Sequence, residues 1–166
     1  CNVTDLILFH EPEYVQRVEE QSAIGKGYLD CGDTPAYPGI YDAGRFVVGT
    51  GLGAINRIME HNWHHAFVPI GGLHHARRDS AAGFSIVNDC GIIIVALRRR
   101  FGILRLAYID IDVHHCDGVY YAFSEDPALA IADTPADGRY SHPCSGQTNR
   151  RGKGNGRGTN WTVPSA

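Results

Sequence analysis

Apolar positions along the chain follow two periods. From Pro12 to Ser22, Tyr14, Val15 and Val18 fall at helical spacing behind a proline suited to a first turn, which predicts a helix. Gly25 to Gly39 is dense in Gly, Pro and Asp and predicts a loop. In Tyr41 to Glu60 a helical period returns through Phe46, Val47, Leu52, Ile55, Ile58 and Met59 despite the glycines between them. Ala66 to Ile70 is a short apolar run stopped by Gly71-Gly72, which predicts a strand, and Gly71 to Ser85 predicts a loop. Ile86 to Phe101 predicts a buried helix, with Arg98, Arg99 and Arg100 at the C-terminal end where cations are favoured and Gly102 to close it.

Arg105 to Val113 predicts a second strand, Asp117 to Ser124 a short helix, and Leu129 to Ala132 a third strand. Strands alternating with helices imply right-handed crossovers and a parallel α/β sheet. Ligands of open α/β sheets gather outside the carboxyl ends of the strands. The first strand runs into Gly71-Gly72-Leu73-His74-His75-Ala76, and the second into Asp110 to Gly118. Both His-rich segments are therefore expected at one edge. His61, His64 and His65 precede the first strand and are expected at the opposite edge, on the surface.

Charge divides the chain. Between Ser141 and Ala166 there is no acidic residue, and Arg150, Arg151, Lys153 and Arg157 give this segment +4. The whole 166-residue chain carries −3, so residues 1–140 carry −7. An acidic body argues against nucleic acid as a partner, and glycines interleaved with the four cations suit a solvated, flexible tail. The expected organisation is a partial α/β domain over residues 1–140 and a Gly-rich basic tail over 141–166. The longest apolar run, Ile92 to Leu97, is too short to cross a bilayer, so no membrane partner is expected. No signal peptide is visible, and the odd count of five cysteines without a CxxC pair suits reduced thiols and a cytoplasmic location. A chain that starts at Cys1 reads as a piece of something longer.

Asp110, Asp112 and His114 alternate at the end of the second predicted strand. Residues two apart in an extended strand face one side, so Asp112 and His114 offer an oxygen and an imidazole nitrogen to a common metal, a pairing suited to zinc. Cys116 continues the alternation and is a conceivable third ligand, but a turn at Asp117-Gly118 would break the pattern and leave it a small bystander. His74 and His75, adjacent in a Gly-flanked loop, suit general acid-base work near neutral pH. Asp110 and Asp117 are the carboxylates available to orient an imidazole. Together these groups describe metal-assisted hydrolysis of an amide or ester. A rival pattern, Gly49-Thr50-Gly51-Leu52-Gly53-Ala54, fits GxGxxA on paper. Its preceding apolar run is only three residues long and its surroundings look helical, so small residues on a helix packing face explain it better.

The segments GGLHHARRDSAAGF and YIDIDVHHCDGVYYAF together resemble the histone deacetylase superfamily, and are most like bacterial histone deacetylase-like and acetoin-utilization members. GDTPAYPGIYDA resembles the family's substrate-rim loop, and FHEPEYVQRV its early helix. The resemblance covers most of residues 5–140. It implies the arginase-deacetylase-like three-layer α/β fold with a mostly parallel sheet, here truncated, and hydrolysis of acetyl-lysine-like or acetylated amine amides with zinc. By position, Asp112 and His114 match two zinc ligands. His75 matches the general base and His74 its electrostatic partner, with Asp110 behind His74 and Asp117 behind His75. Gly83 and Phe84 match the narrow acyl-lysine channel, and Asp33 the rim acid that holds the substrate backbone. Backbone groups of Asp110, Asp112 and His114 match a structural potassium site.

The departures are as specific. Family members carry a third zinc-ligating Asp far downstream and a Gly-rich segment with a carbonyl-polarising Tyr, and this chain stops before either. Cys116 stands where the family has the Gly of HHGDG, a source of strain if that position needs a positive φ. Pro135 stands where a His is common. A partial sheet leaves open edges, so a homo-oligomer or a completing chain is an expected partner. The alternative to an enzyme is a catalytically inactive deacetylase-fold module used for binding or assembly.

Overall fold

The computed structural model describes residues 1–136, 143 and 151–163. It forms two compact units, Cys1–Gly102 and Ile103–Ala166.

The first unit is helical. Helix α1 (Val3–Leu6) opens with a capping box between Asn2 and Asp5, and α2 (Pro12–Ile24) starts on the proline and ends on Gly25 at φ 66°. Helix α3 (Ile40–Glu60) packs against α2 and against α4 (Asp89–Phe101). Buried Val15, Val18, Val48, Leu52, Ile55 and Ile92 form the core here. Gly44 and Gly51 lie seven residues apart on α3, and a Cβ at either would come within 2.7 Å and 2.8 Å of the Ile86 and Ile93 Cδ1 atoms. The GxGxxA pattern thus lies inside α3, with Gly51 serving close packing rather than a nucleotide. Helix α4 starts three residues later than the apolar run, because Asn88 caps it by accepting from the Gly91 N–H at 2.8 Å. It ends on Gly102 at φ 69° after the three arginines.

The expected strand at Ala66 to Ile70 does not form. The segment has no regular structure and ends in a turn at Pro69-Ile70; it pairs with no strand among the described residues, Phe67 is 88% exposed, and Pro69 removes a backbone donor. An apolar run becomes a strand only when a neighbour takes up its N–H and C=O groups. The next helix, α4, begins only at Asp89, after the loop that carries His74 and His75.

The second unit is a parallel three-stranded sheet in the order β1-β2-β3: β1 (Leu106–Asp110), β2 (Leu129–Asp133) and β3 (Asn160–Thr162). Helix α5 (Asp117–Phe123) connects β1 to β2. Register places Asp110 beside Asp133, and Asp133 beside Thr162, at the carboxyl ends of all three strands. Strand β3 lies in the Gly-rich segment. The turn before it is a 3-10 helix (Gly154–Gly156), tied down by Lys153 N–H to the Ser124 carbonyl at 2.7 Å and Gly152 N–H to the Tyr120 hydroxyl at 3.1 Å. Here Gly156 is structural: a Cβ on it would lie 2.7 Å from the Ser124 carbonyl oxygen. Asn160 is fully buried. Arg150 lies outside the described residues. No helix among the described residues is long and apolar enough to cross a membrane.

Candidate active site

The histidine segment of the first unit is set by the start of α4. Asn88 Nδ2 donates to the carbonyls of His74 at 3.2 Å and Ala76 at 2.8 Å. The Asp89 carboxylate accepts from the Gly72 N–H at 3.0 Å and the Leu73 N–H at 2.7 Å. A Cβ on Gly71 would meet the same carboxylate at 2.7 Å, so the glycine pair makes room for this clamp. Behind Asn88 lies His10, whose Nε2 accepts from the Asn88 N–H at 2.9 Å. That fixes the proton on Nδ1, which faces the Arg78 carbonyl at 3.3 Å. Burial pushes the His10 pKa down to about 4, so it is a neutral acceptor at physiological pH.

His74 and His75 are both buried, with ring centroids 4.2 Å apart and Nε2 atoms 3.2 Å apart. At that separation one nitrogen donates and the other accepts, so a single proton lies between the rings.

In the second unit β1 ends at Asp110, so the expected strand through Val113 is corrected. Asp112 and His114 come together in a turn instead. Asp110 Oδ1 accepts from the Asp112 N–H at 2.9 Å, and Asp112 Oδ1 accepts from the His114 N–H at 2.7 Å. Each carboxylate thus bends the chain two residues ahead of itself. The turn brings the two side chains together, with His114 Nδ1 2.9 Å from Asp112 Oδ1. Two donors on one tetrahedral zinc, at about 2.0–2.2 Å each, stand about 3.3 Å apart, so the pair needs little movement to share a metal. Both side chains are half open to solvent. Asp110 is buried and also accepts from the Tyr108 hydroxyl at 2.5 Å. Asp117 is buried at the first turn of α5.

The rim and channel residues belong to the first unit. Asp30 accepts from the N–H groups of Gly32, Asp33 and Thr34, each at 2.9 Å, and from the Thr34 hydroxyl at 2.5 Å. Burial alone would raise this carboxyl; the hydrogen bonds outweigh it and hold its pKa below the usual value. Asp33 itself is exposed at the tip of this loop. The Phe84 N–H donates to Thr34 Oγ1 at 3.1 Å. Gly83 and Phe84 both have positive φ, 51° and 64°, and the Phe84 ring is 76% exposed. Thr34, Tyr37, Ile40, Leu73, Phe84 and Ile86 help line a cavity of about 310 Å³.

Cys116 has φ −73°, so the strain expected of a residue in place of glycine is absent. Its thiol is fully buried, and burial raises its pKa well above the ordinary value. Among the described residues the spacing argument missed His10, Asn88, Asp89 and Thr34. Of these, only Asn88 carries a local signal, as a capping residue before an apolar run.

The chain matches the histone deacetylase domain model over residues 1–166. It is 35% identical over 167 residues to the acetoin utilization protein AcuC of Bacillus subtilis, covering 96% of this chain and 43% of that protein. It is 32% identical over 171 residues to histone deacetylase 8 of Xenopus laevis, covering 99% and 52%. The crystal structure of a deacetylase homolog from Aquifex aeolicus superposes with a TM-score of 0.86 at 28% identity, over 98% of this chain and 45% of that one. The chain therefore spans about half the length of the proteins it matches. With this domain match along its whole length, its parallel sheet and its two histidine motifs, the chain belongs to the histone deacetylase family, in the AcuC-like branch.

Proposed function

We propose that this chain carries catalytic groups of a zinc-dependent deacetylase acting on acetyl-lysine-like or acetylated amine amides. The observation that carries the reading is the Asp112 Oδ1–His114 Nδ1 pair at 2.9 Å in a chain of this family. An oxygen and an imidazole nitrogen at that separation fit zinc in both chemistry and spacing. Zinc supplies Lewis acidity toward an amide carbonyl and makes water nucleophilic at neutral pH. His75 takes the proton from the attacking water and returns it to the leaving amine. His74, one shared proton away, stabilises the charge that His75 acquires. Asp110 and Asp117 serve as orienting carboxylates, Gly83 and Phe84 as channel wall, and Asp33 as the rim acceptor for substrate backbone.

Zinc uptake measured by equilibrium dialysis, together with hydrolysis of a fluorogenic acetyl-lysine substrate, tests this. Asp112→Ala is expected to weaken zinc binding. His75→Ala is expected to keep zinc and lower hydrolysis by about 10²–10⁴-fold. Absence of zinc uptake under every condition, including an added completing chain, would overturn the enzymatic reading. Acetyl-peptide binding without zinc or turnover would instead favour an inactive binding module.

A further inference from the structure

The second unit holds a buried group of donors that the proposed deacetylase chemistry does not use. His115, Cys116 and Asp133 each present one ligand atom, and these atoms lie within 4.8 Å of one another. The side chains of His115 and Asp133 are wholly shielded from solvent, and Cys116 is fully buried. His115 Nδ1 hydrogen-bonds Asp133 Oδ2. The remaining polar atoms of the pair, His115 Nε2 and Asp133 Oδ1, are buried and meet no hydrogen-bonding partner. Thr162, the register neighbour of Asp133 on β3, has a buried hydroxyl in the same condition. Buried polar atoms are nearly always satisfied, so three orphans around one strand end call for an occupant.

The cluster's place in the fold agrees. His115 follows β1, Cys116 caps α5, Asp133 ends β2 and Thr162 ends β3, so all four stand at the carboxyl ends of a parallel sheet, where such folds hold ligands. We propose that His115, Cys116 and Asp133 bind a divalent transition metal, zinc by preference, as a structural site separate from the Asp112–His114 pair. Thiolate, imidazole and carboxylate together select zinc over magnesium or calcium, which favour all-oxygen sites. Binding is not a redox step. The Cys116 thiol proton leaves to solvent, and the metal takes the thiolate, a ring nitrogen and a carboxylate oxygen. Because the cluster is buried, the metal enters during folding and links the loop after β1 to the end of β2.

Cobalt makes the test specific, because a thiolate ligand gives cobalt(II) an intense near-ultraviolet charge-transfer band and the Asp112–His114 pair contains no sulfur. The full chain is refolded with cobalt(II), then with zinc in competition. The expected result is a thiolate band in the unsubstituted protein, bleached by zinc and retained in His114→Ala. The band is lost in Cys116→Ala, and cobalt binds about tenfold or more weakly in Asp133→Asn. If Cys116→Ala fails to refold, Cys116→Gly, the residue that resembling sequences carry there, gives the same readout. No band at saturating cobalt, or a band that survives replacement of Cys116, would overturn the proposal. Loss of the band in His114→Ala would overturn the separation of the two sites.

Discussion

The Thr34 hydroxyl joins two parts of the candidate substrate surface, accepting from the Phe84 N–H at 3.1 Å while donating to Asp30 at 2.5 Å. Thr34 is 1% exposed, so neither bond is readily replaced by water. Thr34→Val keeps the shape and removes both. The expected cost is about 1–3 kcal/mol in urea unfolding, from a carboxylate short of one donor and an N–H without its acceptor. In an active preparation the same variant is expected to raise KM more than it lowers kcat, because it frees the channel wall and leaves the histidines in place.

Phe84 adopts φ 64° with a ring 76% exposed. A bulky side chain there incurs left-handed strain without much burial in return, an arrangement typical of positions kept for ligand contact. Relief of about 1–2 kcal/mol of strain outweighs the chain entropy that glycine adds, about 0.5–1 kcal/mol. Phe84→Gly is therefore expected to be neutral or to stabilise by up to about 1 kcal/mol, while binding of an acetyl-lysine peptide weakens. Chemical denaturation and peptide titration read the two effects separately. A marked loss of stability would show that Phe84 is structural.

His10 ties acid stability to the histidine segment through Asn88. Its imidazole titrates near pH 6.5 in the unfolded chain but only at about 4 in the folded one, because burial opposes its charge. The unfolded state therefore binds the proton first. The stabilisation is fully present above pH 6.5 and is lost as pH falls toward 4. The difference is worth about 3 kcal/mol at most. Urea midpoints between pH 7.5 and 4.5 are expected to fall on this account, with a shallower fall in His10→Gln, which keeps an acceptor without a titrating ring. Equal slopes for the two proteins would remove His10 from the explanation.

What the sequence made legible was local. The helices over Pro12–Ile24 and Ile40–Glu60 follow from apolar spacing with proline and glycine at their ends. The Asp112–His114 pair follows from a two-residue interval, although a carboxylate-bent turn brings it about and not a strand. What stayed hidden depends on partners distant along the chain. Ala66 to Ile70 has a strand's composition but, among the described residues, no strand beside it. Asn160–Thr162 lies in a glycine-rich, cationic stretch, yet forms β3 because β2 offers an edge at matching register. Asp89 looks like an ordinary helix-start acid, and only the structure shows it holding Gly72 and Leu73. Neither can a sequence show that Cys116 has an ordinary backbone conformation beside the His115–Asp133 pair.

Helix glycines offer a direct test of whether the GxGxxA pattern is packing or a cofactor loop. Gly53 is exposed on α3, and a Cβ there meets nothing within 4 Å. Gly53→Ala is expected to stabilise by about 0.5–1 kcal/mol, the ordinary gain from replacing glycine in a helix interior. Gly91 is the contrasting case on α4, since a Cβ there would sit 2.6 Å from the edge of the Phe9 ring. That ring is 2% exposed and stacked edge-on against His10, so it cannot swing aside cheaply. Gly91→Ala is expected to destabilise by about 1–3 kcal/mol despite the same gain in propensity. Opposite signs in urea midpoints would show that packing fixes Gly91 and places no demand on Gly53. A nucleotide-binding loop at Gly49–Ala54 would instead make Gly53→Ala lower the melting protection given by NAD, and the helical packing of α3 predicts no such protection in either protein.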